Sequence, residues 1–252
     1  MTALTVGVTT AKHPECKRGI ATNFAAALAR HSAISDRVCL VDADPFALDV
    51  TTRLAVSGPI VEDFARAEIP PVARLGRIHS PAMTVIPCGG SAIGRIRFAA
   101  DRLAPEIREA FDVVVFDLPG GPAGPGSVVG TRLELLDCLV LAVTPEPTAV
   151  GAAAHFLELF QTAKDRGDIG PVGLAVVATG DESHETMSPV DMEAMLGVEV
   201  TVAVPQFWGR AEPNLGFGPA LAIPELDDAA YDLFTEIQRH SVALRPAHAL
   251  SL

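Results

Sequence analysis

No apolar run in this 252-residue chain is long enough to cross a bilayer; one of the longest, "CLVLAV" at 138–143, falls far short of the roughly 20 residues a spanning helix needs. Positive charge is also scarce. Lys and Arg total 19 against 31 Asp and Glu, a formal net charge of −12. Nucleic acid is held mainly by basic side chains that neutralise phosphates, so nonspecific nucleic-acid binding is not expected. Anionic membranes are disfavoured for the same reason. The four cysteines (Cys16, Cys39, Cys88, Cys138) are scattered, three of them inside apolar runs, and form neither a disulfide framework nor a zinc spacing. They read as reduced, mostly buried thiols of a cytoplasmic protein. The seven histidines make no paired metal spacing, and no cysteine lies near a clear His–Asp partner in the sequence. The N-terminus "MTALTVGVTT" lacks the basic and apolar regions of a secretory signal.

What is present is globular: 49% hydrophobic and 20% charged residues. Short β-branched apolar runs at 4–9, 37–44, 83–88, 112–118, 138–144, 173–179 and 198–204 predict strands. Their continuous apolar character suits parallel strands covered on both faces. Between them, helical spacing predicts helices over 19–32, 99–111, 149–166, 188–196 and 225–244. This alternation predicts an α/β fold: a doubly wound, mostly parallel sheet with helices on both faces. No repeat or long linker divides the chain, so 1–252 is read as a single domain with a frayed tail at 245–252. That tail is broken by Pro246 and is a weak candidate for a membrane-binding helix.

In an open parallel sheet, ligands bind beyond the carboxyl ends of the strands. Three such ends carry charge here. Lys12 and Lys17 follow the first strand, Asp42-Ala43-Asp44-Pro45 the second, and Asp117 with Pro119-Gly120-Gly121 the fourth. The stretch "TTAKHPECKRGIATN" (9–23) occupies the place of a phosphate-binding loop but holds only one glycine, Gly19. "GGSAIGR" (89–95) approaches a phosphate loop superficially, but no strong helix pattern begins there, and it is rejected. The Gly/Pro-rich segment 118–130 reads equally as a switch loop or an irregular surface loop. Trp208, Phe207 and Phe217 suit a partner surface or, more commonly for aromatics, a core.

Together these residues resemble the MinD/ParA family of deviant P-loop ATPases (SIMIBI class), which open with a strand, K-G-G-x-G-K-T-T and a helix. "VTTAKHPECKRGIATNFAAALA" lies on that pattern without a gap. The resemblance puts Lys12 on the family's extra lysine, Lys17 on its phosphate-binding lysine and Asn23 on its helix asparagine. "VCLVDADPFALDVT" resembles the segment whose aspartate, Asp42 here, positions the attacking water. "FDVVVFDLPGG" resembles the metal-side strand, with Asp117 near magnesium, and "TPEPTA" at 144–149 is the most specific match. The motifs span about 4–160. The resemblance implies ATP and Mg as cofactors, with Lys12, Lys17, Asp42 and Asp117 as nucleotide-site residues. Asp42 is the candidate catalytic group should the chain be active, and Asp117 the candidate metal residue should nucleotide bind. Protein partners are implied, as a face-to-face homodimer or by pairing with an active paralogue, in cellular positioning or assembly: division, partition, a flagellum or a pilus.

The departures have physical consequences. His13, Pro14 and Cys16 stand where the family has glycines, and Arg18 and Gly19 where it has threonines. A phosphate loop needs inward backbone N–H groups in unusual dihedrals, and Pro14 has a fixed φ and no N–H. Arg18 removes the hydroxyl expected on magnesium. At about 1.5–3 kcal/mol for each charged hydrogen bond, two lost bonds weaken binding by roughly two to four orders of magnitude. A degenerate loop and inefficient ATP hydrolysis are therefore expected, making the chain a pseudo-ATPase regulator or scaffold. Three other readings remain. One is an active ATPase with a rebuilt loop, in which Arg18 and Lys12 partly replace the metal. The second is a relative of the bacterial tyrosine kinases, whose P-G-E-G-K-S loop Glu15 and Lys17 match but whose tyrosine cluster is reduced here to Tyr231. The third is a binding module whose cleft holds another anion or a peptide.

Overall fold

The computed structural model describes residues 3–12, 14–30, 37–44, 49–54, 56, 59–60, 76–79, 82–88, 107–121, 136–179, 186–204 and 224–244. Among the described residues, eight strands form one sheet: β1 (Leu4–Thr10), β2 (Val38–Asp42), β3 (Gly76–His79), β4 (Ala82–Ile86), β5 (Val113–Asp117), β6 (Cys138–Val143), β7 (Gly173–Thr179) and β8 (Val202–Val204). Their spatial order is β3-β4-β2-β5-β1-β6-β7-β8. Strands β4, β2, β5, β1, β6, β7 and β8 run parallel, and only β3 is antiparallel, at the edge beside β4. All residues of β1, β2, β5 and β6 are buried, as their unbroken apolar sequence requires when both faces are covered.

Five helices complete the described fold: α1 (Pro14–Arg30), α2 (Asp49–Leu54), α3 (Pro147–Asp165), α4 (Pro189–Leu196) and α5 (Pro224–Leu244). Two apolar clusters lie on opposite faces of the sheet. One joins Ile20, Phe24 and Leu28 of α1 and Leu233 and Ile237 of α5 to Val6, Val8, Leu40 and Val115. The other joins Val150, Phe156 and Phe160 of α3 and Met192 and Leu196 of α4 to Val41, Phe116, Leu139 and Leu141. Alternate residues of the central parallel strands thus face opposite layers, and the expected doubly wound architecture is observed.

Several element boundaries correct the sequence reading. Helix α1 begins at Pro14 rather than at residue 19. Proline has no N–H to lose at the first helical position and its fixed φ suits that site, so Pro14 starts the helix. Strand β3 was not expected: "GRIH" has no apolar run, and it is held by antiparallel pairing, Gly76 to Val85 through His79 to Ala82. The short α2 was also missed. Of the predicted 99–111 helix, 107–110 is helical and the remainder up to 106 lies outside the described residues. So do "GGSAIGR", most of the 118–130 loop beyond Gly121, Phe207, Trp208, Phe217 and the 245–252 tail.

Among the described residues, no helix is long and apolar enough to cross a membrane. Gly7 is dictated by packing: a Cβ there would lie 2.5 Å from Leu136 Cδ1 and 2.7 Å from Leu118 Cδ1.

Candidate functional site

The site is built where β2, β5 and β1 end side by side. The strand register pairs Asp42 with Asp117 directly, and Val8 with Asp117 on the other side. The chain leaving β1 turns through Ala11 and Lys12 and enters α1, whose fourth residue is Lys17. That short connection aims Lys17 back over the ends of the strands.

Lys17 is fully buried, and its Nζ lies 2.7 Å from Asp44 Oδ2 and 2.9 Å from Asp117 Oδ1. Asp44 and Asp117 are themselves buried. Asp42, the neighbour of Asp117, is fully buried but bonds elsewhere. Its Oδ2 accepts from Thr51 N (3.0 Å) and Thr51 Oγ1 (2.6 Å), and its Oδ1 from Asp44 N (3.3 Å). Thr51 Oγ1 in turn accepts from Cys88 N at 3.0 Å. One threonine therefore ties α2 to the ends of β2 and β4.

One ammonium against three carboxylates leaves a surplus of negative charge in a buried place. Burial pushes the Asp117 carboxyl up to about 6. The Lys17 charge and hydrogen bond oppose that rise, while Asp42 and Asp44 add to it. Asp42 is also raised by burial, against the hydrogen bonds from Thr51 and Asp44 and the charge of Lys17. A buried charge is tolerated only when paired and hydrogen-bonded; Asp44 and Asp117 are paired with Lys17, while Asp42 is held by the hydrogen bonds from Thr51 and Asp44.

Around this cluster the loops are stitched down. Thr9 Oγ1 donates to Pro119 O (2.8 Å), and Gly121 N donates to Thr10 O (2.8 Å). Gly121 has φ +126°, and a Cβ on Gly120 would lie 3.3 Å from Thr10 O, so the Gly-Gly pair lets the post-β5 loop lie against β1.

Lys12 does not join the cluster. It is exposed, and its Nζ donates to Thr148 Oγ1 at 2.8 Å, at the start of α3 and within the "TPEPTA" segment. Thr10 Oγ1 donates to the Lys12 carbonyl and fixes the turn. Asn23 lies on α1, partly buried.

Of the expected site residues, Lys17, Asp42 and Asp117 are brought together and Lys12 stands apart. Asp44 as the partner of Lys17, Thr51 as the anchor of Asp42 and Thr148 as the partner of Lys12 were not anticipated. A signal for Asp44 existed: two residues after Asp42 in extended chain, its side chain returns to the same side. Thr51 carried none, because its role depends on where α2 docks.

Among the described residues, no group of three or more His, Cys, Asp or Glu side chains is arranged to hold a metal ion. The ammonium that would meet a phosphate meets carboxylates instead. The three residues 14–16 that precede Lys17 lie in the first turn of α1, which presents helix-start amides, less the one Pro14 lacks, in place of a wrapped loop. As arranged, the carboxylates of Asp44 and Asp117 hold the place on Lys17 that a phosphate would need.

No protein-family model and no curated protein sequence matches the chain. Solved structures do. A chain of the MinC:MinD cell division protein complex of Aquifex aeolicus is similar, with a TM-score of 0.71 at 17% identity, covering 94% of this chain and 96% of that one. An ATP complex of a McdA variant from Cyanothece gives 0.68 at 16%, covering 97% and 98%. A ParA family ATPase from Chlorobium tepidum gives 0.64 at 18%, covering 96% of each. At such identities the likeness speaks for the fold, which the chain shares with the MinD, McdA and ParA structures over nearly its whole length.

Proposed function

We propose that the chain is a MinD/ParA-like protein with a degenerate phosphate-binding loop, acting as a regulator or scaffold in cellular positioning or assembly. It hydrolyses ATP poorly or not at all. The observation that carries this reading is the state of Lys17, buried and paired with both Asp44 and Asp117. A phosphate reaching that ammonium has to displace a carboxylate already in contact, and Pro14 leaves the helix start one amide short to offset the cost. The magnesium hydroxyl is absent at Arg18, and metal neutralisation of the leaving phosphoryl is what catalysis in such sites depends on. Function then rests on protein partners, as a homodimer or beside an active paralogue, with a fold that serves ATP binding in the McdA complex and pairing with MinC in the MinC:MinD complex.

The test is a titration with a fluorescent ATP analogue, with and without magnesium, with Lys17→Ala as control. The expected result is no saturable binding below millimolar nucleotide. Tight binding that is lost in Lys17→Ala would overturn the reading.

A second reading, an active ATPase with a rebuilt loop, is favoured by one observation: Lys17, Asp42 and Asp117 still converge at adjoining strand ends. On that reading the unmodified protein turns over ATP and Asp42→Ala abolishes turnover with the fold intact. Absence of turnover in the unmodified protein excludes it.

A further inference from the structure

We draw no further inference here: the strongest candidate, the exposed apolar face of α4 formed by Val190 and Met195 beside Gly151 of α3, carries nothing, because nothing in the structure shows what covers it.

Discussion

At the scale of single residues, the buried carboxylates make a prediction opposite to ordinary acid denaturation. Asp117 titrates near 6 in the fold against an ordinary value of 3.8, with burial as the main cause. The folded state therefore binds the proton more tightly than the unfolded chain. Its contribution to stability is full below pH about 4 and is lost as pH rises through about 6. Titration two pH units higher in the fold than in the unfolded chain is worth about 3 kcal/mol. Asp42 is raised too and acts in the same direction. Urea unfolding of wild type and Asp117→Asn at pH 4 to 7 isolates the effect: the wild type should lose stability relative to the variant across that interval. A constant difference would mean Asp117 is ionised throughout. Gly7 gives a purely steric case. Gly7→Ala drives a methyl into Leu136 and Leu118, and overpacking of this kind costs about 1–3 kcal/mol, measurable as a lower urea midpoint at unchanged slope. The charged residues at strand ends were legible because the carboxyl ends of a parallel sheet are where polar groups gather for a ligand. The pairing of Lys17 was not, because which of these aspartates its ammonium reaches depends on how α1 enters over the strand ends.

At the scale of elements, α1 is where local and functional demands diverge. The segment 14–18 reads as a damaged loop when compared with a glycine-rich motif, and as a sound helix start when read for backbone preference. Pro14 suits the first position, and none of the residues 15–18 is glycine or proline. The structure follows the second preference, and α1 gains a turn. Restoring the motif by His13→Gly, Pro14→Gly, Cys16→Gly and Arg18→Thr should reverse the choice. Each glycine placed in the helix costs up to about 1 kcal/mol, so the quadruple variant should be less stable by about 1–2 kcal/mol while its affinity for ATP rises. Calorimetric titration beside urea unfolding checks both halves; lower stability with no gain in affinity would mean that the loop is not what excludes nucleotide. The helix α4 offers a simpler check on capping. Ser188 accepts from Asp191 N at 3.2 Å at its N-terminus, and Gly197 closes it at φ +69°. Ser188→Ala should cost about 1 kcal/mol in urea unfolding and leave nucleotide binding unchanged.

At the scale of the whole molecule, the sheet was readable because seven strands carry continuous apolar runs with helical segments between them. The eighth, β3, was not, since an antiparallel edge strand needs neither burial on both faces nor a crossover. What composition adds is charge. A net charge of −12 makes two copies of the chain repel at long range, and the Lys17 cluster carries a carboxylate surplus of its own. Two copies meeting face to face would bring these fields together, so self-association should strengthen as salt screens them, with a screening length near 10 Å at 0.1 M. Sedimentation at about 20 mM and 500 mM salt tests this, since the Debye length changes severalfold over that range; a dimer that weakens with salt would require complementary charge across the interface. Nucleic acid behaves in the opposite sense. Binding through counterion release is strongest at low salt, so a protein that used it would retard duplex DNA most at about 20 mM. For this chain no retardation is expected there, and a shift that fades with salt would reveal a local basic surface that the overall charge conceals.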